Sequence, residues 1–436
     1  MLRVIALASL VALASCHRQA DAPSEAPTGL NVEEGDGQVT VSWDQQPGLT
    51  YWIFFQAGGT VTAAAPGVPL IFDARSPRIV FPLVNGTQYA FVMNATNRDS
   101  KAGPSTPVRR EVPRLAGADW KSGTPLGSLP QNLNGVAYNP VLNRIVAVGD
   151  LAPGTPPTPT IFAGDFNYTS QNPPGVTAWT QATSIPDGFA SDLSAVMFSV
   201  SQFIALGTDG SILKSPDGNT WTAATSIPSG GAAGPRMNSM AFGTVSSALT
   251  YVAVGDGGKI FTSPDLVTWT TVSTTGNDLY NVSFPNGSFV ATGANGTLLT
   301  SADASTWTVV QNVPTSSALR GATYGTGSAA GASAQYVVVG DSGTIVTSTN
   351  LTNWSLITPP PLPQDLRAIR FGTRFVAVGQ KIVVGQGGAV VYSDDAVNWS
   401  LSSFPPGSPA PDLAAIIFTP AMYLAVGASG ATAVSK

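Results

Sequence analysis

Residues 279–309 read LYNVSFPNGSFVATGANGTLLTSADASTWTV, and this stretch decides the fold because its pattern returns along most of the chain. Four short runs follow one another in it: Leu-x-x-Val-x-Phe, Phe-Val-Ala-Thr-Gly, Gly-x-Leu-x-x-Ser and Asp-x-x-x-Trp-Thr. Turn-forming glycine, asparagine and proline separate the runs, so each run predicts one short β-strand. The repeating unit is therefore expected to be a sheet of four strands joined by tight turns.

The second strand of this unit appears seven times, and each copy ends in glycine. The tryptophan of the fourth strand appears six times in the repeats. A four-stranded unit repeated in this way predicts a β-propeller with one blade per unit, so seven second strands predict seven blades in an all-β protein. The glycines are Gly149, Gly207, Gly255, Gly293, Gly340, Gly379 and Gly427, and the tryptophans are Trp179, Trp221, Trp269, Trp307, Trp354 and Trp399.

The missing fourth strand is predicted to come from before the first unit. The last unit has three strands when the sequence reaches Lys436, whereas Asp119-Trp120 precedes the first unit and has no inner strands of its own. Residues 119–124 are expected to add the outer strand to the last blade, because a ring closed in this way leaves no open sheet edge. The predicted propeller spans residues 114–436.

The turn before the fourth strand reads SPDGNTW at 215–221, SPDLVTW at 263–269, SADASTW at 301–307, STNLTNW at 348–354 and SDDAVNW at 393–399. These turns resemble the Asp-boxes, or BNR-like repeats, of sialidase-like, sortilin-like and photosystem II assembly-factor-like propellers. The resemblance implies that the acid accepts backbone N–H groups within the hairpin and that the tryptophan packs between blades. A calcium-binding role for the acids is the alternative. The residues concerned are Asp217, Trp221, Asp265, Trp269, Asp303, Trp307, Asn350, Trp354, Asp395 and Trp399.

Residues 27–113 alternate in the manner of strands that are buried on one face. The segment resembles a fibronectin type III domain in its opening Pro27, in VTVSW at 39–43 and in LVNGTQYAF at 83–91. In the last stretch Leu83 and Tyr89 match the spacing of a tyrosine corner, in which the phenol bonds back to the backbone. The domain is expected to act as a spacer, with glycan or partner binding as the alternative.

The first residues, MLRVIALASLVALASC, combine Arg3, an apolar run too short to span a membrane, and Leu-Ala-Ser-Cys at 13–16. This pattern resembles the lipobox of bacterial lipoproteins, which implies a signal peptide at 1–15 and lipidation of Cys16. His17 stands where aspartate favours inner-membrane retention in that family, so the resemblance implies the outer membrane. Residues 16–26 are expected to form a lipidated tether.

Composition excludes several classes of function. The chain has 20 basic and 25 acidic residues and no Lys/Arg block, so no nucleic-acid partner is expected. No His, Cys or Glu occurs from residue 119 onward, which removes the residues of Ser-His-Asp sites, of Cys-His sites and of the common zinc sites. Sialidases need a glutamate that this region lacks. We therefore expect neither an enzyme nor a cofactor, and a hydrolase that uses aspartates stays open.

The second residue of each first strand is the candidate for the ligand face. The seven first strands read LNGVAY, LSAVMF, MNSMAF, LYNVSF, LRGATY, LRAIRF and LAAIIF. Their first position stays apolar and their last is aromatic, whereas their second position varies and is mostly polar. One such residue per blade should surround one mouth of the central channel. Pairing of the two arginines with acids such as Asp365 is the structural alternative. The candidates are Asn134, Ser194, Asn238, Tyr280, Arg320 and Arg367, with Ala414 in the seventh strand.

The expected function is therefore a membrane-tethered scaffold of the cell envelope that binds a protein or a glycan through one propeller face. An aspartate-based glycan hydrolase and a purely structural envelope protein are the alternatives. Two insertions, LAPGTPPTP with QNPPG between 151 and 175 and QKIVVG at 380–385, are equally consistent with binding specificity and with neutral variation.

Overall fold

The computed structural model describes residues 21–97, 101–124, 126, 131–154, 156–169, 172–229, 234–272, 276–358, 363–380, 388–406, 408, 410–420 and 422–435. Cys16, the predicted signal peptide and residues 381–385 lie outside this range. Regular structure within it consists of β-strands and single 3-10 turns, which confirms the all-β class. No helix in the described part of the chain is long and apolar enough to cross a membrane.

The N-terminal domain contains seven strands in two sheets, with strand orders β1-β2-β5 and β4-β3-β6-β7. Alternate residues such as Val41, Tyr51 and Phe91 point between the sheets and form one buried core. The Val84 N–H donates to the Tyr89 hydroxyl at 3.1 Å, so the phenol is bonded to the backbone five residues before it. The strands are β1 Asn31–Gly35, β2 Gln38–Ser42, β3 Leu49–Ala57, β4 Leu70–Ala74, β5 Arg78–Val80, β6 Tyr89–Asn97 and β7 Arg109–Glu111.

The rest of the chain forms seven antiparallel sheets of four strands, which confirms the predicted repeating unit. The strands begin with β8 (Lys121–Ser122). Sheet 1 contains β9 Leu133–Asn139, β10 Arg144–Ala152, β11 Thr158–Thr169 and β12 Asn172–Gln181. Sheet 2 contains β13 Leu193–Ser199, β14 Gln202–Gly207, β15 Ile212–Ser215 and β16 Thr222–Ala223. Sheet 3 contains β17 Met237–Val245, β18 Ala248–Gly255, β19 Ile260–Ser263 and β20 Thr270–Val272.

The remaining sheets repeat the same order from the first to the fourth strand. Sheet 4 contains β21 Leu279–Ser283, β22 Phe289–Gly293, β23 Leu298–Ser301 and β24 Thr308–Val309. Sheet 5 contains β25 Leu319–Thr326, β26 Ala334–Gly340, β27 Ile345–Ser348 and β28 Ser355–Leu356. Sheet 6 contains β29 Asp365–Phe371, β30 Phe375–Gln380, β31 Ala389–Ser393 and β32 Trp399–Leu401. Sheet 7 contains β33 Leu413–Phe418, β34 Tyr423–Gly427, β35 Thr432–Ser435 and β8. Among the described residues, five 3-10 turns lie at Asp256–Gly258, Pro285–Gly287, Ala294–Gly296, Asp341–Gly343 and Ala428–Gly430.

The seven sheets form a closed ring. Each first strand contacts the first strand of the next sheet, and β33 of sheet 7 contacts β9 of sheet 1. The apolar clusters lie between neighbouring sheets rather than within one. Phe203 and Trp221 of sheet 2, for example, are buried against Val146 and Ile161 of sheet 1. Burial of apolar surface between sheets therefore holds the ring together.

A short strand from before the repeats closes the ring. In β8, Ser122 and Lys121 pair with Ala433 and Val434 of β35. The strand is only Lys121–Ser122, shorter than the predicted 119–124, because Asp119 and Trp120 pair instead with Ser403, just after β32 of sheet 6. The Gly123 N–H still donates to the Thr432 carbonyl of β35. Trp120 anchors this strand: it is 3% exposed, and its indole N–H donates to the Gly117 carbonyl at 2.8 Å.

The ring has two faces, and the N-terminal domain contacts one of them. We call the face at which the first strands begin the mouth face, and the opposite face, which carries the turns between the third and fourth strands, the hairpin face. The N-terminal domain contacts the hairpin face, where Asp36 accepts a hydrogen bond from the Thr373 hydroxyl at 2.8 Å, and β5 lies against β12 of sheet 1. The mouth face is therefore the face away from the N-terminal domain.

The long hairpin of sheet 1 braces the closure. Its strands β11 and β12 contain 12 and 10 residues, and Phe166 and Val176 are buried beside Leu424 and Val434 of sheet 7. The Thr124 hydroxyl also donates to the Val176 carbonyl at 2.6 Å. The long hairpin of sheet 1 thus contributes packing at the joint between the first and last sheets.

Candidate functional site

The second residues of the seven first strands surround one opening of the central channel. We call this opening the mouth. The cavity there has a volume of about 350 Å³ and narrows between the innermost strands. The structure brings all seven candidate positions together around it: Asn134, Ser194, Asn238, Tyr280, Arg320, Arg367 and Ala414.

A β-bulge places each of these side chains. In every sheet the pairing between the first and second strands skips one residue, and the skipped residue is the candidate. In sheet 5, for example, Leu319 pairs with Gly340 and Gly321 pairs with Val339, which leaves Arg320 as the extra residue. A bulge bends its strand and re-aims the extra side chain. The seven bulges thus present one variable side chain per sheet at the mouth.

In six of the seven sheets, the glycine that ends the second strand makes room for the backbone that leads into the bulge. A Cβ atom on Gly340 would lie 2.1 Å from the Ala318 carbonyl oxygen, and one on Gly293 would lie 2.0 Å from the Asp278 carbonyl oxygen. A Cβ atom cannot approach a carbonyl oxygen so closely, so only glycine fits at these positions. The same contact recurs at Gly149, Gly255, Gly379 and Gly427. The glycine column in the sequence therefore marks the places where the mouth is built.

Two arginines and a tyrosine form the most distinctive part of the mouth. Arg320 makes a bidentate ion pair with Asp341, and its guanidinium carbon lies 4.6 Å from the centre of the Tyr280 ring. Arg367 donates to Asp365 at 3.1 Å and lies 3.9 Å from Asp341. Both arginines are therefore paired with acids, in agreement with the structural alternative drawn from the sequence.

The two guanidinium groups differ in how firmly they are held. Burial by itself lowers the pKa of Arg320, but the hydrogen bonds and charge of Asp341 more than offset this, so its pKa is raised. Burial, followed by the like charge of Arg320, lowers the pKa of Arg367. The Arg367 Nε atom is also buried without a hydrogen-bond partner in the described structure. Arg367 is thus the less satisfied cation of the pair.

Acids just outside the seven positions hold the rim together, with a different arrangement in alternate sheets. In sheets 1 and 3 the bulged Asn134 and Asn238 donate to Asp150 and Asp256 at 2.7 and 2.8 Å. The same amide groups donate to the first carbonyl of the next sheet at 3.0 and 2.9 Å. Arg320 with Asp341 repeats the side-chain pairing in sheet 5. Each such pair stabilises the joint to the following sheet.

In sheets 2, 4 and 6 the acid instead lies directly before the leading leucine of the first strand. Asp192, Asp278 and Asp365 accept backbone N–H bonds of 2.8, 2.8 and 3.0 Å from the preceding sheet. The sequence alone singles out only Asp365 among these rim acids. Their signal is an Asp directly after the terminal glycine in sheets 1, 3 and 5 and an Asp directly before the leading leucine in sheets 2, 4 and 6. These acids therefore link sheet 1 to sheet 2, sheet 3 to sheet 4 and sheet 5 to sheet 6.

The channel below the mouth is lined by polar and small side chains. Asn281, Ser283 and Arg370 lie on its wall, and no Asp or Glu is among the described residues that line it. Arg370 is open to the channel yet enclosed by the ring, and this enclosure lowers its pKa. No group of three His, Cys, Asp or Glu residues suited to a metal ion occurs in the described part of the chain.

Comparisons with known proteins identify the architecture of the ring. No family model and no curated protein matches the chain. Among solved structures, a catalytically inactive virginiamycin B lyase from Staphylococcus aureus with quinupristin has a TM-score of 0.54 at 9% identity, covering 73% of this chain and 99% of that one. YCF48 bound to D1 peptide has a TM-score of 0.52 at 17% identity, with 72% and 96% covered. The WD40 β-propeller domain of Doa1 has a TM-score of 0.51 at 10% identity, with 73% and 97% covered.

The ring is a β-propeller. Identities of 9–17% establish the fold alone, so the ligands named for these proteins say nothing yet about this chain.

The hairpins on the opposite face of the propeller share one hydrogen-bond pattern. In sheet 4 the Asp303 Oδ1 atom accepts the N–H groups of Ser305 and Thr306 at 2.8 and 2.7 Å, while the Ser301 hydroxyl donates to the same carboxylate at 3.1 Å. The Trp307 indole N–H then donates to the Ala304 carbonyl at 3.0 Å. The same acceptor role falls to Asp217, Asp265, Asn350 and Asp395. One carboxylate oxygen of each acid is thus engaged in the turn.

These bonds predict an acid-sensitive stability. The backbone N–H of Thr306 holds the pKa of Asp303 well below its usual range, and that of Thr268 lowers the pKa of Asp265. A lowered folded-state pKa stabilises the protein above the unfolded value of about 4 and loses that contribution as the pH falls further. We expect urea midpoints to stay constant from about pH 7 to pH 5 and to fall below about pH 4.

Asp303→Asn tests the cause, because Asn350 already fills the same role with an amide oxygen. This variant should fold, and its urea midpoint should fall less steeply below about pH 4. Asp187→Asn, at an exposed loop position, should leave the fall of the urea midpoint unchanged. If the urea midpoint falls equally steeply with pH in the unchanged protein and in both variants, the hairpin acids do not govern acid unfolding.

Proposed function

We propose that this protein is a non-enzymatic binding scaffold of the bacterial envelope, in which a seven-bladed β-propeller holds a protein partner at the mouth. The observation that carries the proposal is the convergence of seven bulged, variable side chains on one opening. The seven bulges share one backbone geometry but carry different side chains. Such a set of positions is more typical of a recognition surface than of a structural role. The record of YCF48 with a D1 peptide supports a protein partner in preference to a glycan.

The domain that joins the propeller to the membrane is proposed to be a fibronectin type III-like spacer. Seven strands in sheets of three and four, together with the Tyr89 bond to the Val84 N–H, support this assignment. A lipid on Cys16 would attach to this domain and hence to the hairpin-face side. The mouth would then point away from the membrane. The membrane fraction of a Cys16→Ala variant tests the anchor, since continued membrane binding would exclude it.

A binding role fits the chemistry of the mouth better than hydrolysis does. A glycan hydrolase needs two carboxyl groups that face each other across the substrate. Asp341 and Asp365 lie at the rim, but each is already in an ion pair with an arginine. The Tyr280, Arg320 and Arg367 side chains offer hydrogen bonds and an aromatic surface, which are typical of recognition sites.

A bulky residue at Ala414 tests the proposal without removing any internal contact. Ala414 is the smallest of the seven mouth residues, so Ala414→Trp should fill the opening. We expect this variant to reduce co-purification of the partner at least tenfold, a loss of about 1.4 kcal/mol in binding free energy. The matched control is Val267→Trp, at an exposed hairpin-face position, which should retain the partner. Equal recovery with both variants would exclude the mouth as the binding site.

A further inference from the structure

A second cavity lies between the N-terminal domain and the hairpin face of the propeller. We call it the interdomain cleft. It has a volume of about 790 Å³, within the range of about 300–1,000 Å³ of ligand sites, which often form between domains. Its walls come from the β5–β6 turn at 84–86, the linker at 114–119 and the loops and outer strand of sheets 5 and 6.

The charges in this cleft are already paired within the protein. Arg374 is 7% exposed, its Nη2 atom donates to Asp394 at 3.2 Å, and its guanidinium group stacks 4.5 Å from the Tyr392 ring centre. Arg114 lies 3.2 Å from Glu34 and 3.8 Å from Asp119. A charged ligand would find no uncompensated counter-charge among these groups, and it would lose hydration on entering. The cleft therefore favours an uncharged ligand.

Two aliphatic side chains remain open on its walls. Val84 of the N-terminal domain is 63% exposed, and Leu401 of β32 is 64% exposed. The Tyr392 hydroxyl has no hydrogen-bond partner among the described residues, while its ring face is covered by Arg374. An aliphatic side chain can bury itself between Val84 and Leu401. A sugar ring would find no free aromatic face on which to stack, so the walls favour a peptide.

The outer edge of β32 offers main-chain hydrogen bonds in the same place. The Ser402 N–H points inward to the Val390 carbonyl, whereas the Ser403 N–H points outward to the Ala118 carbonyl. Residue orientation alternates along a strand, so the N–H and C=O of Leu401 point outward as well. The segment at 118–120 runs parallel to β32 beside Ser403 and turns away at Gly117, which lies at φ 107°. The line of main-chain bonds therefore ends beside Leu401 with room for a further segment.

We propose that the interdomain cleft is a second binding site, which takes an extended, uncharged peptide segment that pairs with the edge of β32 at Leu401. Such strand addition draws affinity from main-chain hydrogen bonds and specificity from side-chain pockets. One aliphatic side chain of the peptide packs between Val84 and Leu401. This site is separate from the mouth and does not depend on the function proposed for it.

The test is selection of a phage-displayed library of random ten-residue peptides against the whole protein, followed by fluorescence anisotropy with the best synthetic peptide. We expect enriched peptides that are uncharged and carry a β-branched or leucine residue. Leu401→Asp should weaken binding at least tenfold. Leu356→Asp is the matched control, because Leu356 occupies the corresponding outer-strand position of sheet 5 and does not line the cleft.

Val84→Asp, in the other domain, should reproduce the loss independently if Leu401→Asp impairs folding. Ala414→Trp should leave peptide affinity unchanged, which separates this site from the mouth. N-methylation of the central peptide amide should abolish binding if main-chain pairing contributes. No enriched peptide, enrichment of charged peptides, or binding that survives both aspartate variants would overturn the proposal. Binding of glycans alone on a carbohydrate array would also overturn it.

Discussion

Trp120→Ala is expected to lower the free energy of unfolding by about 3–5 kcal/mol, the range for removal of a buried tryptophan. The Trp120 ring packs near Tyr423 and Phe404 at 6.5 and 6.4 Å, and its N–H bond to Gly117 fixes the turn before β8. Its loss opens a cavity at the joint and frees the two-residue strand that closes the ring. Urea unfolding followed by circular dichroism measures the change.

The control is Trp179→Ala in the fourth strand of sheet 1. Trp179 is half-buried, and its indole nitrogen has no partner in the described structure, so its removal should cost clearly less. If Trp120→Ala unfolds at the urea concentration of the unchanged protein, β8 does not contribute to stability and the closure described for the ring is wrong.

Gly340→Ala is expected to cost about 1–3 kcal/mol of stability, the usual effect of forced overpacking, and to displace Arg320 from the mouth. The added methyl group would lie 2.1 Å from the Ala318 carbonyl oxygen, so the backbone on either side of the Arg320 bulge must move. Thermal unfolding gives the stability change, and the affinity for the partner gives the effect at the mouth.

Gly175→Ala is the matched substitution, since a Cβ atom there meets nothing within 4 Å. It should leave both stability and partner binding unchanged. A neutral result at Gly340 would contradict the claim that the terminal glycines exist to accommodate the bulges.

Most of the architecture could be predicted from the sequence because it depends on local, repeated chemistry. The hairpin acids, the tryptophans and the terminal glycines each recur at fixed positions within the repeat. Because the same signals return in several repeats, together they predict the fold clearly. The candidate positions at the mouth could be found for the same reason, as a variable column directly after the leading apolar residue of each first strand.

The remaining features depend on contacts that a single repeat does not contain. The bulge at Tyr280 or Arg320 arises from the pairing of two strands, and the sequence shows only the glycine that permits it. The rim acids could not be recognised as one group because they occupy different positions in neighbouring sheets. Asp150 follows the second strand of sheet 1 and Asp192 precedes the first strand of sheet 2, although both accept hydrogen bonds at the rim. The interdomain cleft joins segments as distant as Val84 and Leu401, so no local pattern announces it.

The most direct test of the central claim is photo-crosslinking in cells from a probe placed at residue 280, with the same probe at Val267 on the hairpin face as control. We expect a discrete protein adduct from position 280, its loss when Arg367→Ala or Ala414→Trp is added, and no such adduct from position 267. No adduct from 280, or the same adduct from both positions, would contradict the claim that the mouth binds a protein partner.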